Sequence, residues 1–144
     1  MTTFHEWLEC IACGAQFDAL EVHYDCDGCG GLLSLERSAG WASGLGPTFF
    51  DARLASRADV DRSGVWRFRE AVMNVADDAI VTHPEGGTNL YSRATLSAWG
   101  GVEALSFKHE GENPTGSFKD RGMTVAMTQA KRLGARAVAC ASTG

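Results

Sequence analysis

The spacing of apolar positions changes along the chain and predicts its elements. Near the N-terminus the apolar residues sit in short runs, and Glu6 to Glu9, Gln16 to Tyr24 and Leu32-Leu33-Leu35 read as three short strands. Ser63-Gly-Val-Trp-Arg-Phe-Arg-Glu-Ala-Val-Met73 reads as a capped short helix with Trp66, Arg69 and Met73 along one face, Trp66 serving as packing. Residues 77–89 are mostly turn, broken at Glu85-Gly-Gly-Thr-Asn89, and Leu90 to Trp99 fits either a short helix or an irregular strand. From Val102 the pattern sharpens. Val102 to His109 alternates as a strand with Val102, Ala104 and Ser106 on one face, and a turn-rich loop, Glu110 to Gly116, comes next. Ser117 to Leu133 is then a helix whose Met123, Ala126, Met127, Ala130 and Leu133 fall at spacings of three and four. Ser117 and Asp120 form a capping box and Gly134 is the stop. Ala135 to Ala141 is short and apolar, as in a buried parallel strand. Strand, helix, strand is a βαβ unit with a right-handed crossover, so the fold class is α/β.

Charge divides the chain. Residues 1–36 hold seven carboxylates and no Lys or Arg, whereas all 13 basic residues lie from Arg37 onward. The boundary falls in the Gly- and Pro-containing segment 36–47, which gives a small ribbon over 1–36, a linker and short helix over 37–84, and a larger α/β unit over 85–144. With 44% hydrophobic and 22% charged residues the chain is neither disordered nor fibrous. No apolar run reaches the ~18 residues of a membrane span. A net charge of −5 argues against nucleic acid or an anionic membrane as partner. MTTFHEWLEC lacks the basic and apolar regions of a secretory signal, so a cytoplasmic location is expected.

Two constellations carry chemistry. Cys10-Ile-Ala-Cys13 and Cys26-Asp-Gly-Cys29, separated by twelve residues, offer four thiolates to one tetrahedral ion. The expectation is structural zinc, with iron fitting the same ligands. Two disulfides or a redox pair are the alternatives, disfavoured by the tandem arrangement. Four ligands leave no open position for catalysis, and a ribbon of seven carboxylates without a base does not bind DNA. The second constellation lies at the carboxyl ends of the two predicted parallel strands, where ligands bind in open α/β sheets. There the loops 110–116 and 142–144 would bring backbone N–H groups to an anion. Lys119 stands in the first helical turn, where the helix dipole disfavours its ammonium form and makes it a plausible amine nucleophile.

Asn113-Pro-Thr-Gly-Ser-Phe-Lys-Asp-Arg-Gly122 closely resembles the pyridoxal-phosphate lysine segment of threonine synthases, in the tryptophan-synthase-β-like (fold type II) family. Ala141-Ser-Thr-Gly144 resembles the loop that in this family holds the substrate α-carboxylate. Glu85-Gly-Gly-Thr-Asn-Leu90 resembles a segment that normally carries Pro where this chain has Asn89. The four cysteines with Gly14 and Gly30-Gly31 are similar to the zinc ribbon many of these enzymes carry, and Trp66 to Glu70 also has a family look. The resemblance implies that Lys119 bonds the aldehyde of pyridoxal 5'-phosphate and later acts as general base. It further implies that Ser117 and Asn113 shape the cofactor site, and that Ser142, Thr143 and Gly144 hold the substrate. O-phospho-L-homoserine would lose its phosphate and take up water to give L-threonine. Arg121 and Asp120 would be structural, Cys140 a buried small apolar residue, and Lys108 and His109 rim residues or nothing.

The same scaffold also serves serine/threonine dehydratases and cysteine or cysteate synthases, and a non-catalytic zinc-ribbon adaptor is the remaining alternative. Because Gly144 falls inside the motif, the chain is expected to be an N-terminal fragment, inactive alone, of a protein that forms a homo-oligomer when complete.

Overall fold

The structure is a computed structural model and describes residues 5–141. Three antiparallel strands form the N-terminal ribbon in the order β2-β1-β3: β1 (Glu6–Cys10), β2 (Gln16–Asp18) and β3 (Leu33–Arg37). Leu8 lies opposite Phe17 on one side and Leu35 on the other. The second strand is shorter than the apolar run to Tyr24 suggests, because Asp18 accepts the Leu20 N–H at 2.8 Å and turns the chain. Each Cys-x-x-Cys bends in the same way. The Gly14 N–H donates to the Cys10 carbonyl at 2.9 Å and the Gly30 N–H to the Cys26 carbonyl at 2.7 Å, with φ of 74° and 68° that only glycine adopts without strain.

Polar groups fasten the ribbon to the middle of the chain. Buried Glu6 accepts from Arg37 Nε and from the Asn74 N–H, both at 3.0 Å. Arg37 in turn donates to the carbonyls of Ala71 and Val72. Residues 47–79 form short helices: α1 (Pro47–Asp51), α2 (Asp59–Arg62), a 3-10 turn over Trp66–Phe68 and α3 (Arg69–Val72), with a further 3-10 turn over Asp77–Ala79. Ion pairs lace them together, with Arg69 on Asp61 at 2.7 Å and Asp77 at 2.9 Å, and Arg53 on Glu70 and Asp61. Ser63 caps the predicted helix as expected, its Oγ accepting the N–H groups of Val65 and Trp66. Trp66 and Met73 are buried on the face that the sequence assigns to packing.

Leu90 to Trp99 contains both of the elements its pattern allowed. β4 (Leu90–Ser92) pairs antiparallel with β5 (Ser106–Lys108), and α4 (Ala94–Gly100) fills the connection. The expected strand from Val102 is thus confined to its last residues. The helix after it, α5 (Asp120–Arg132), ends as expected before Gly134.

Three expectations fail at this end of the chain. Residues 135–141 form no strand and are exposed, so neither a parallel sheet nor a βαβ unit is present among the described residues. A parallel strand needs a ladder partner and cover on both faces; the ladder that β5 makes in this structure is antiparallel, with β4. Cys140 is consequently exposed rather than buried. The capping box is replaced as well: Asp120 accepts from the Thr115 N–H at 2.9 Å and the Thr115 hydroxyl at 2.5 Å, while Ser117 Oγ accepts the Lys119 N–H.

The buried face of α5 is not its apolar stripe. Ala126 is exposed, and Thr124 and Thr128 are the buried residues. Thr124 Oγ accepts from the Trp66 indole N–H at 2.7 Å and donates to the Val81 carbonyl at 2.6 Å. Thr128 Oγ accepts the Val81 N–H at 3.0 Å. A hydroxyl ladder therefore seats residue 81 on α5, with Trp66 fully buried against the same face. Trp66→Phe keeps an aromatic ring but trims the indole to a single ring and removes its donor, so it should cost about 2–3 kcal/mol. Trp66→Ala also leaves a cavity and should cost about 3–5 kcal/mol. Urea unfolding curves of the two variants measure both.

Candidate functional site

Lys119 immediately precedes α5 and is half-buried. Its carbonyl accepts the N–H groups of Gly122 and Met123 at 3.0 and 2.9 Å, so its backbone belongs to the first turn. The loop before it is closed on itself. The Gly116 N–H donates to the Asn113 carbonyl at 2.8 Å, the Thr115 N–H to Asp120, and the N–H groups of Glu112 and Asn113 to the carbonyls of His109 and Glu110. These groups are therefore spent inside the loop, and the anion cradle expected over 110–116 is not formed by them. Ser142, Thr143 and Gly144 lie outside the described residues.

Asn113 and Ser117 flank this loop. Asn113 is buried: its Oδ1 accepts the Gly86 N–H at 2.8 Å and its Nδ2 donates to the Glu110 carbonyl at 2.8 Å and carboxylate at 3.0 Å. Ser117 is half-buried at the last turn before Lys119. Glu110 also accepts from Arg121 Nε at 2.8 Å, from Arg121 Nη2 at 2.9 Å and from the Thr88 hydroxyl at 3.0 Å. The Arg121 guanidinium beside it, with Asn113 and Thr88, holds the Glu110 carboxyl down at about 2.

The Glu85-Gly-Gly-Thr segment lies against this network. Glu85 is only 2% exposed, and its carboxylate accepts from the Ser63 hydroxyl, from the Thr82 hydroxyl at 3.0 Å and from the His83 N–H at 3.0 Å. Its carbonyl takes the Gly64 N–H at 2.6 Å, and a side chain on Gly64 would meet the Gly87 nitrogen at 2.0 Å, so the two backbones touch. Asn89, where the resembling families have Pro, supplies what Pro lacks. Its N–H donates to Glu112 at 2.7 Å and its Nδ2 at 3.1 Å, joined by the Tyr91 hydroxyl at 2.5 Å, and these donors hold the Glu112 carboxyl at about 2. Lys108 donates to the Thr88 carbonyl, and the His109 N–H to that of Asn89. Beside the loop a cleft of about 190 Å³ is lined by Val81, Pro114, Thr115, Met123 and Met127, among others.

At the other end of the chain the sulfurs of Cys10, Cys13, Cys26 and Cys29 lie within 4.8 Å of one another. Neighbouring pairs are 3.5–3.6 Å apart and all four are free thiols, far from the ~2.05 Å of a disulfide. A tetrahedron of thiolates at ~2.3 Å from an ion has edges of about 3.8 Å, so the cluster fits a metal with little adjustment. The N–H groups of Cys13 and Ala12 draw the Cys10 thiol down to about 6. The Gly31 N–H acts the same way on Cys29, yet crowding by the sulfurs of Cys13, Cys10 and Cys26 pushes that thiol up to about 12. Such crowding is what a cation at the centre relieves.

Sequence reasoning places Lys119, Asn113 and Ser117 together, and the structure brings them to one loop; it misses Glu110, Thr88 and Thr124. The Thr124/Thr128 pair at a spacing of four is a legible signal. Glu110 has none, because its partners Thr88 and Arg121 stand 22 and 11 residues away.

Glu110 and Glu112 are both depressed in the fold from an ordinary 4.5 to about 2, so their contribution to stability is complete above about pH 4.5 and is lost as pH falls toward 2. Unfolding midpoints should be flat from neutral pH to about 5 and fall steeply below. Glu110→Gln combined with Glu112→Gln should flatten that acid limb, as urea titrations across pH will show.

Comparison with known proteins agrees with this layout. Residues 81–144 match the family described as pyridoxal-phosphate dependent enzyme. The chain is 42% identical over 135 residues to the threonine synthase of Methanocaldococcus jannaschii, covering 94% of this chain and 31% of that protein. It is 41% identical over 142 residues to the threonine synthase of Methanosarcina acetivorans, covering 95% and 31%. To the Mycobacterium tuberculosis threonine synthase it is 56% identical over 71 residues, or 49% of this chain and 19% of that protein. The chain thus spans about a third of the length of the two archaeal relatives. The segment that matches the family is the one that carries the Lys119 loop and α5.

Proposed function

We propose that this chain is the ribbon-bearing part of a threonine synthase, which converts O-phospho-L-homoserine and water to L-threonine and phosphate in the cytoplasm. The observation that carries the reading is Lys119 at the head of α5, on a loop whose two sides are tied down by Asn113 and Asp120. Pyridoxal 5'-phosphate, when bound, supplies the electron sink that lets a proton leave carbon next to the substrate nitrogen. Lys119 would hold the cofactor through its side-chain amine and would serve as the group that moves protons at the substrate carbons. Ser117 and Asn113 border the cofactor, Asn113 by fixing the loop wall rather than by lending a spare donor, since its amide is already engaged. Ser142, Thr143 and Gly144 hold the substrate carboxylate. The partner is this small molecule, neither nucleic acid nor membrane, and the complete protein is a homo-oligomer. No helix among the described residues is long and apolar enough to cross a membrane.

In the same reading residues 1–36 are a zinc ribbon, residues 37–84 a connector and residues 85–144 part of a fold type II catalytic domain. Four thiolates within reach of one ion support structural zinc in the ribbon and leave no position for substrate.

Phosphate release from O-phosphohomoserine by the complete, cofactor-loaded protein tests the activity. Lys119→Ala should lower it by at least about 10³-fold, as loss of a covalent and acid-base group does. Cofactor held through Lys119 without phosphate release would move the substrate to the dehydratase or sulfur-transfer classes. For the ribbon, elemental analysis should find one zinc per chain, lost in Cys26→Ser. Chelation should unfold the strands over residues 6–37 while the amides of α5 keep their exchange protection. Iron, or no metal, in freshly purified protein would reject the zinc assignment.

A further inference from the structure

One carboxylate gathers groups from the Gly-Gly-Thr segment, the lysine loop and α5. Glu110 receives Thr88 from the Gly-Gly-Thr segment, Asn113 from the start of the lysine loop and Arg121 from the first turn of α5, at distances of 2.8–3.0 Å. The contact with Arg121 is a two-point pairing of a planar fork with a carboxylate, which restrains both sliding and rotation of the turn that bears it. That turn is also the one whose first N–H groups bond the Lys119 carbonyl. At the other end of the loop, Asn113 transmits the restraint to Gly86 through its Oδ1. Arg121 Nη2 adds a bond to the Thr88 hydroxyl at 3.3 Å, so Thr88, Glu110 and Arg121 close a ring. The loop over residues 113–119 is thereby anchored at both ends to the same carboxylate.

We infer that Glu110 is a positioning residue for the Lys119 amine, acting through Arg121 and Asn113 to fix the rotation of the first turn of α5 and the span of the lysine loop. The inference rests on the reading of Lys119 as the cofactor-bearing lysine. A glutamine at 110 keeps the shape but turns an amide donor toward the guanidinium, so one of the two Arg121 contacts is lost. Aspartate keeps the charge on a shorter arm and can restore the pairing only with a small shift.

The test uses the complete protein with pyridoxal 5'-phosphate at saturation. Borohydride reduction and peptide mass measurement read how fast the cofactor becomes fixed to Lys119, independently of turnover. Glu110→Gln should slow this fixation and kcat by about tenfold or more, since misplacement by an ångström costs up to about a hundredfold, with KM within about threefold. Glu110→Asp should recover part of the loss; because ionised Glu110 also stabilises the fold at neutral pH, fixation and kcat are compared at a temperature well below the thermal midpoint of every cofactor-free variant, where all are folded. Unchanged fixation in Glu110→Gln, a loss confined to KM, or a loss that tracks unfolding without recovery in the aspartate variant would overturn the inference. If neither variant folds, Arg121→Lys keeps the charge and removes the fork; fixation at the parent rate there overturns it and slowed fixation supports it. Lys119→Ala separates the two levels. If that variant still fixes the cofactor at this peptide, the underlying reading falls; if it does not and Glu110→Gln behaves as the parent, only the role of Glu110 falls.

Discussion

A carboxylate removed from water must be given hydrogen bonds, and the way Glu85 obtains them organises the middle of this chain. Its donors are the hydroxyls of Ser63 and Thr82 and the His83 N–H, while its own carbonyl takes the Gly64 N–H. Ser63 is also the cap of the turn that delivers Trp66, so satisfying Glu85 and burying Trp66 are one event. Trp66 then meets Thr124, and Thr124 meets Val81, three residues before Pro84 and the Gly-Gly-Thr turn. The circuit returns to its origin. Removing the charge or any of its donors would leave a buried polar group without a partner, which costs more than the bond itself contributes.

From that circuit the lysine loop is built outward. Gly64 and Gly86–Gly87 are in backbone contact, which presents the Gly86 N–H to Asn113. Asn113 passes to Glu110, and Glu110 to Arg121 beside Lys119. Each step is a hydrogen bond to a backbone group or to a charge. Loops that carry chemistry are ordinarily held by a rigid scaffold of strands. Here the work of a scaffold is shared among side chains.

This polar construction decides how much of the molecule is legible in its sequence. Elements defined by local spacing are readable: the cysteine knuckles with their glycines, the Ser63 cap, and α5 with its stop at Gly134. The lysine segment is readable because its residues are contiguous. The strand expected over 135–141 fails because an apolar run states only that a segment can be buried, and burial depends on partners elsewhere. The face of α5 misleads for a related reason. Its methionines and alanines suggest an apolar seam, but Val81 presents an N–H and a carbonyl, which threonine hydroxyls can satisfy and methionine cannot. Glu110 is invisible because Thr88, Asn113 and Arg121 converge on it only after folding.

The two ends of the chain reach the same solution with opposite charge. Among the described residues the buried apolar side chains are few: Cys10, Ala19, Cys26, Trp66 and Met73, two of them members of the four-cysteine cluster. Apolar burial on that scale cannot offset the conformational entropy of ordering so much irregular chain. In the ribbon four sulfurs converge within 4.8 Å of one another, an arrangement that could hold a cation. In the lysine unit the deficit is met by donors converging on the anions Glu85 and Glu110. A centre of charge, unlike an oily contact, fixes direction as well as distance, because its partners must point their dipoles at it. That is the property a loop needs if it is to present one amine in one orientation. The polar construction of this chain is therefore suited to the placement of Lys119, and the same construction makes it depend on ionised carboxylates.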